Sequence, residues 1–101
     1  SIDLQTRLKE NTKYFRNGLE ELGFNLLPGE HPIVPIMIGD ASLAAKFAAE
    51  ILKNGVYVVA FSYPVVAKGM ARIRTQMSAS FSKEDLDSAL NSFALAKDKI
   101  L

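Results

Sequence analysis

No cysteine occurs in the 101 residues of the chain, so disulfide scaffolds, thiolate metal sites and thiol nucleophiles are all excluded. That absence fits a reducing compartment. Histidine is nearly missing as well: His31 stands alone, with none of the several partners that a metal site needs. A charge excess is lacking, since 12 Lys and Arg against 11 Asp and Glu leave a formal net charge of +1. Such a balance gives no reason to expect a nucleic acid, whose polyanionic backbone favours a strongly basic face. No apolar run approaches the ~20 residues of a membrane helix. The first residues, Ser-Ile-Asp-Leu-Gln, lack the basic-then-apolar order of a signal peptide. They also lack an initiator Met, which suggests a piece trimmed from something longer. A Gly-rich phosphate loop, a Ser-His-Asp set, metal-ligand spacing, internal repeats and low-complexity segments are all missing.

What remains is the composition of a packed domain, 49% hydrophobic and 23% charged, in a length that accommodates one domain, residues 1–101. Leu4, Leu8, Phe15, Leu19 and Leu22 fall on one face of an amphipathic helix from Asp3 to Leu22. Gly23 suits a left-handed C-terminal stop, with Phe24 packing back. Pro28-Gly29 marks a turn. Ile33 to Ile38 is apolar on both faces and reads as a buried strand, with Pro35 demanding an edge or a bulge on its N–H side. Asp40 is a candidate N-cap for a helix through Lys53, whose inner face would be Leu43, Phe47, Ala48, Ile51 and Leu52. Val56 to Phe61 reads as a second strand and Ser62 to Gly69 as a loop. Met70 to Ser78 alternates, with Ala71, Ile73, Thr75 and Met77 opposite Arg72, Arg74 and Gln76. Ser82 and Asp85 have capping-box spacing before a final helix with Leu86, Ala89, Leu90, Phe93 and Leu101 inward. The order α-β-α-β-β-α predicts an α+β two-layer sandwich, a three-stranded and mainly antiparallel sheet with helices on one face. If the third strand lies between the other two, the arginine strand becomes central.

That strand carries the chemistry. Two arginines on one sheet face suit an anion site, because a guanidinium fork pairs bidentately with carboxylate or phosphate. They equally suit a solvated sheet face, and on spacing alone the solvated face is the commoner outcome. Lys68-Gly69 reads as an anion contact or as a loop charge, and loop statistics favour the latter. His31 reads as a turn cap, Met37, Met70 and Met77 as core filler, and Asp40, Glu84 and Asp85 as helix N-terminal acids.

Four strings in order, His31 to Ala41, Gly55 to Val58, Phe61 to Gly69 and Ala71 to Ala79, resemble the pyridoxal-phosphate-dependent α-oxoamine synthases, members of the aspartate-aminotransferase-like fold type I group. The string Arg72-Ile73-Arg74-Thr75-Gln76 is most similar to the glycine C-acetyltransferase branch. The resemblance implies a C-terminal small domain of a larger, cytoplasmic, homodimeric enzyme of threonine catabolism. Such an enzyme condenses glycine with acetyl-CoA to 2-amino-3-oxobutyrate and CoA, with the cofactor as electron sink. It implies that Arg74 pairs with the amino acid carboxylate. It further implies that Ser62, Tyr63, Pro64, Lys68 and Gly69 belong to an active-site loop, and that Arg72 is a scaffold or rim charge on the CoA side. Ala67 departs from the proline common there. The Schiff-base lysine and the other catalytic motifs of the large domain are not in this chain, and Lys68 does not replace that lysine. No catalytic residue, metal, nucleic acid or membrane is expected, and the chain alone should be inactive. The contrasting expectations are a free-standing carboxylate-binding or assembly module, and another α-oxoamine synthase.

Overall fold

Seven elements follow one another in the computed structural model, which describes residues 2–101; Ser1, the expected start of the domain, lies outside them. They are α1 (Ile2–Glu21), β1 (Asn25–Leu26), β2 (Ile33–Gly39), α2 (Ala41–Lys53), β3 (Val59–Phe61), β4 (Ala71–Gln76) and α3 (Lys83–Ile100). The strands form one sheet in the order β1-β2-β4-β3, and every adjacent pair is antiparallel. The arginine strand is therefore interior. The fourth strand, β1, corrects the expected count of three: two residues pair with Met37 and Ile36, too short a segment to leave a periodic trace.

Local chemistry sets the helix ends. Asp40 caps α2 by accepting from the Leu43 amide at 2.9 Å, and Ser82 with Asp85 forms a reciprocal capping box on α3. Gly23 ends α1 at φ 91°, a left-handed conformation that a side chain would strain. Phe24 then turns inward onto Phe47 and Phe93, with ring centroids 5.6 and 5.8 Å away and nearly perpendicular planes. Phe15 joins from α1 at 5.8 Å from Phe93, so the phenylalanines tie all three helices together. Lys97 of α3 donates to the Leu22 carbonyl at the end of α1, a cation where the helix dipole is negative.

Val34, Ile36, Ala71, Ile73, Thr75 and Met77 point from the sheet into this core. Helix α2 lies against the sheet, and α1 and α3 complete the layer on the same side. Three expected inward residues are outside: Leu4, Leu52 and Leu101 are 56%, 47% and 54% exposed. Each sits near an end of its helix, and Ala44 takes the inner place on α2 instead. Met70 is exposed and Met37 half-buried, so of the three methionines only Met77 fills the core. The second strand begins at Val59 rather than Val56. Pro35 sits in an interior strand, yet its carbonyl accepts from Leu27 at 3.4 Å on the β1 side. A residue in an antiparallel ladder turns its nitrogen and its carbonyl to the same side. The missing N–H thus faces the place where β1 has already ended. A register shift between Met37 and Gly39 adds a bulge at the far end of β2.

Candidate functional site

The sheet face away from the helices is open, and strand register decides what meets there. Pro35, Arg74 and Val59 form one cross-strand row; Met37, Arg72 and Phe61 form the next. Arg72 and Arg74 are thus one pleat repeat apart, roughly 6.6 Å along the strand, on one face. On the opposite side of the same strand Ile73 and Thr75 are buried in the core.

The two arginines differ in what they touch. Nε of Arg72 donates to its own loop, the Met70 carbonyl, at 3.2 Å, and the side chain is half-buried. Arg74 is exposed, and its guanidinium carbon lies 4.7 Å from the centroid of the Phe61 ring. Among the described residues no carboxylate pairs with either guanidinium; the ion pairs are those of Glu50 with Lys53 and Lys99. A guanidinium on a ring face keeps its N–H edges free, so Arg74 offers an intact fork to an anion. The sequence pattern places Phe61 in an apolar run before the loop and gives it no site role, because its diagonal relation to Arg74 depends on register.

The loop between β3 and β4 is organised by its own turns. Val65 and Val66 N–H groups both donate to the Ser62 carbonyl, at 3.0 and 3.3 Å, and Met70 N–H to that of Ala67 at 3.0 Å. The Tyr63–Pro64 peptide is cis, and Lys68 Nζ stands 4.9 Å from the Tyr63 ring centroid. Tyr63, Lys68 and Gly69 meet Gly39, Asp40 and Ala71 around a concavity of about 410 Å³ at the end of the sheet. Ser62 and Pro64 belong to the loop but do not line it. This concavity adjoins the Arg72 row; Arg74 stands one row further along, and no hydrogen bond or ion pair joins it to the loop among the described residues.

His31 is exposed and its Nδ1 accepts from the Ile33 amide at 3.1 Å, the turn-capping role expected of it. No group of three or more His, Cys, Asp or Glu able to hold a metal ion occurs among the described residues. No helix there is long and apolar enough to cross a membrane. Pyridoxal phosphate does not fit this chain by itself. It requires an amine, an acid for the ring nitrogen and a phosphate cradle in one place, whereas the amine of Lys68 is laid on Tyr63 and the open face offers arginines. What the open face offers an anion is the exposed guanidinium of Arg74, without an acidic partner among the described residues.

Comparison with known proteins gives a consistent result. A family model described as aminotransferase class I and II matches residues 3–93. The chain is similar to 2-amino-3-ketobutyrate coenzyme A ligase of Salmonella typhimurium, 48% identical over 91 residues, which are 90% of this chain and 23% of that protein. It is 50% identical over 82 residues to the mitochondrial ligase of the same name from Homo sapiens, covering 81% of this chain and 20% of that one. The chain therefore spans about a quarter or less of the curated relatives it matches. In three dimensions it resembles a high-resolution structure of SPT with PLP, at TM-score 0.92 and 25% identity, over 97% of this chain and 25% of the other.

Proposed function

The chain belongs to the aminotransferase class I and II family, and from that premise we propose that it is the C-terminal small domain of a glycine C-acetyltransferase, the enzyme also called 2-amino-3-ketobutyrate coenzyme A ligase. The whole protein would condense glycine with acetyl-CoA, releasing CoA and forming 2-amino-3-oxobutyrate, in the cytoplasm and as a homodimer. Pyridoxal phosphate, held by residues outside this chain, supplies the electron sink when bound. The chain's own contribution is recognition. Arg74 receives the glycine carboxylate, and Ser62, Tyr63, Pro64, Lys68 and Gly69 belong to the loop bordering the site, with Arg72 at its rim.

The observation that carries this reading is the state of Arg74: exposed, without an acidic partner among the described residues, and projecting from an interior strand. An arginine held by an internal carboxylate would be neutralised; this one is ready to pair. A bidentate contact fixes both position and rotation of a small amino acid, which an ammonium on a flexible stem does not. Its loss removes charge-assisted hydrogen bonds worth about 1.5–3 kcal/mol each, so Arg74→Ala in the full-length enzyme should raise the glycine KM about 30-fold or more. Cofactor affinity should stay unchanged. An unaltered glycine KM would sink the assignment. A second measurement addresses the domain: mixing this chain with the remaining polypeptide should restore glycine-dependent CoA release that neither part shows alone.

A further inference from the structure

Resting on the reading of Arg74 as the carboxylate anchor, we propose that Phe61 is the positioning residue that aims its guanidinium at the substrate. The side chain of arginine is long, and on an open sheet face it would sample many rotamers. Something must hold it without using the fork. Carboxylates hold arginines well but take the same N–H edges that a substrate carboxylate needs. An aromatic face attracts the cation through the ring quadrupole and takes none of those donors. The geometry here is of the second kind, with Arg74 Cζ 4.7 Å from the Phe61 ring centroid.

Strand pairing explains why Phe61 can do this. Arg74 lies opposite Val59 and Phe61 lies opposite Arg72, so Phe61 and Arg74 are diagonal neighbours on the same face, within reach of an aromatic ring and a long side chain. Arg72 has Phe61 directly opposite, yet its Nε is tied to the Met70 carbonyl at 3.2 Å. The ring is left to Arg74. Lys68 is held in the same way by Tyr63, but in the loop rather than on the sheet face. Phe61 is only half-buried, and the core is built from other residues. Its ring is therefore available for a task other than packing the interior.

Two measurements test the inference. In the full-length enzyme, Phe61→Leu should raise the glycine KM about five- to tenfold, the weight of one cation–π contact at a partly desolvated site. The value of kcat and the acetyl-CoA KM should remain within about twofold. Phe61→Tyr keeps the ring and should restore the wild-type glycine KM. In the 101-residue chain, the side-chain proton resonances of Arg74 should be shielded by the ring current. They should move downfield in Phe61→Leu but not in Phe61→Tyr. If Phe61→Leu leaves the glycine KM unchanged while Arg74→Ala raises it, the inference fails and the anchor stands. Equal losses in the Leu and Tyr variants would mean a packing role, which also overturns it. If Arg74→Ala has no effect on glycine, the anchor itself fails, and unchanged Arg74 resonances in Phe61→Leu would then remove the platform too.

Discussion

Thr75 Oγ1 donates to the carbonyl oxygen of Val34 at 3.1 Å, inside the core and directly behind the arginine face. The bond joins the interior strands β4 and β2 at the residue next to Arg74. A buried hydroxyl without a partner would be unfavourable, and here the residue's apolar methyl and its satisfied oxygen both suit the interior. Thr75→Val keeps the shape and removes the bond. We expect a loss of about 1 kcal/mol, read as a lower urea midpoint at constant m.

Gly18 and Leu90 set how closely α1 and α3 approach. A Cβ built at Gly18 would lie 2.5 Å from Leu90 Cδ1 and 3.2 Å from its Cγ. Ordinarily, alanine in place of glycine within a helix gains about 0.5–1 kcal/mol. Here overpacking should offset or exceed that gain. Gly18→Ala should therefore be less favourable in the wild-type chain than in a Leu90→Ala background, by about 1–2 kcal/mol. A double-mutant cycle from denaturant midpoints checks the sign.

At the other side of the same helix pair, Tyr14 donates its phenolic proton to the Asp87 carboxylate. That hydrogen bond first, then burial and the negative charges of Asp87 and Glu21, hold the phenol above its ordinary 10.0. The folded chain thus keeps a proton that the unfolded chain releases. Its contribution to stability is complete below the unfolded value and disappears as the pH rises through the folded one. As the pH rises through and above the ordinary phenol value, the wild-type urea midpoint should fall more steeply than that of Tyr14→Phe. Parallel curves would show that the bond is not formed in solution.

Arg72 and Arg74 should separate in a kinetic comparison. Because Arg72 spends Nε on the Met70 carbonyl, Arg72→Ala should leave the glycine KM of the full-length enzyme within about threefold of wild type, far less than the Arg74→Ala effect. Comparable effects from both would mean that they share one carboxylate.

Much of the fold is written in short-range patterns. The Asp40 cap, the Ser82–Asp85 capping box and the Gly23 stop each depend on a few consecutive residues, and each is realised. The alternation from Ala71 to Met77 separates core from open face because side chains in a strand point to opposite sides with period two. Leu4, Leu52 and Leu101 show where such patterns run out. Periodicity defines a helix face but not how far the neighbouring layer extends beneath it.

Local sequence patterns suffice for the helices, their ends and the two-faced arginine strand. The pairing of β1 beside β2, the place of β4 between β2 and β3, and the Phe61 ring rather than an acid beneath the Arg74 guanidinium emerge from the assembled sheet alone. Helical turns and caps are fixed by neighbours within about four residues, so composition and spacing record them. Strand order and register arise from contacts between distant segments, and a shift of one residue would turn every side chain to the opposite face. The geometry around Arg74 therefore exists only once the sheet has formed.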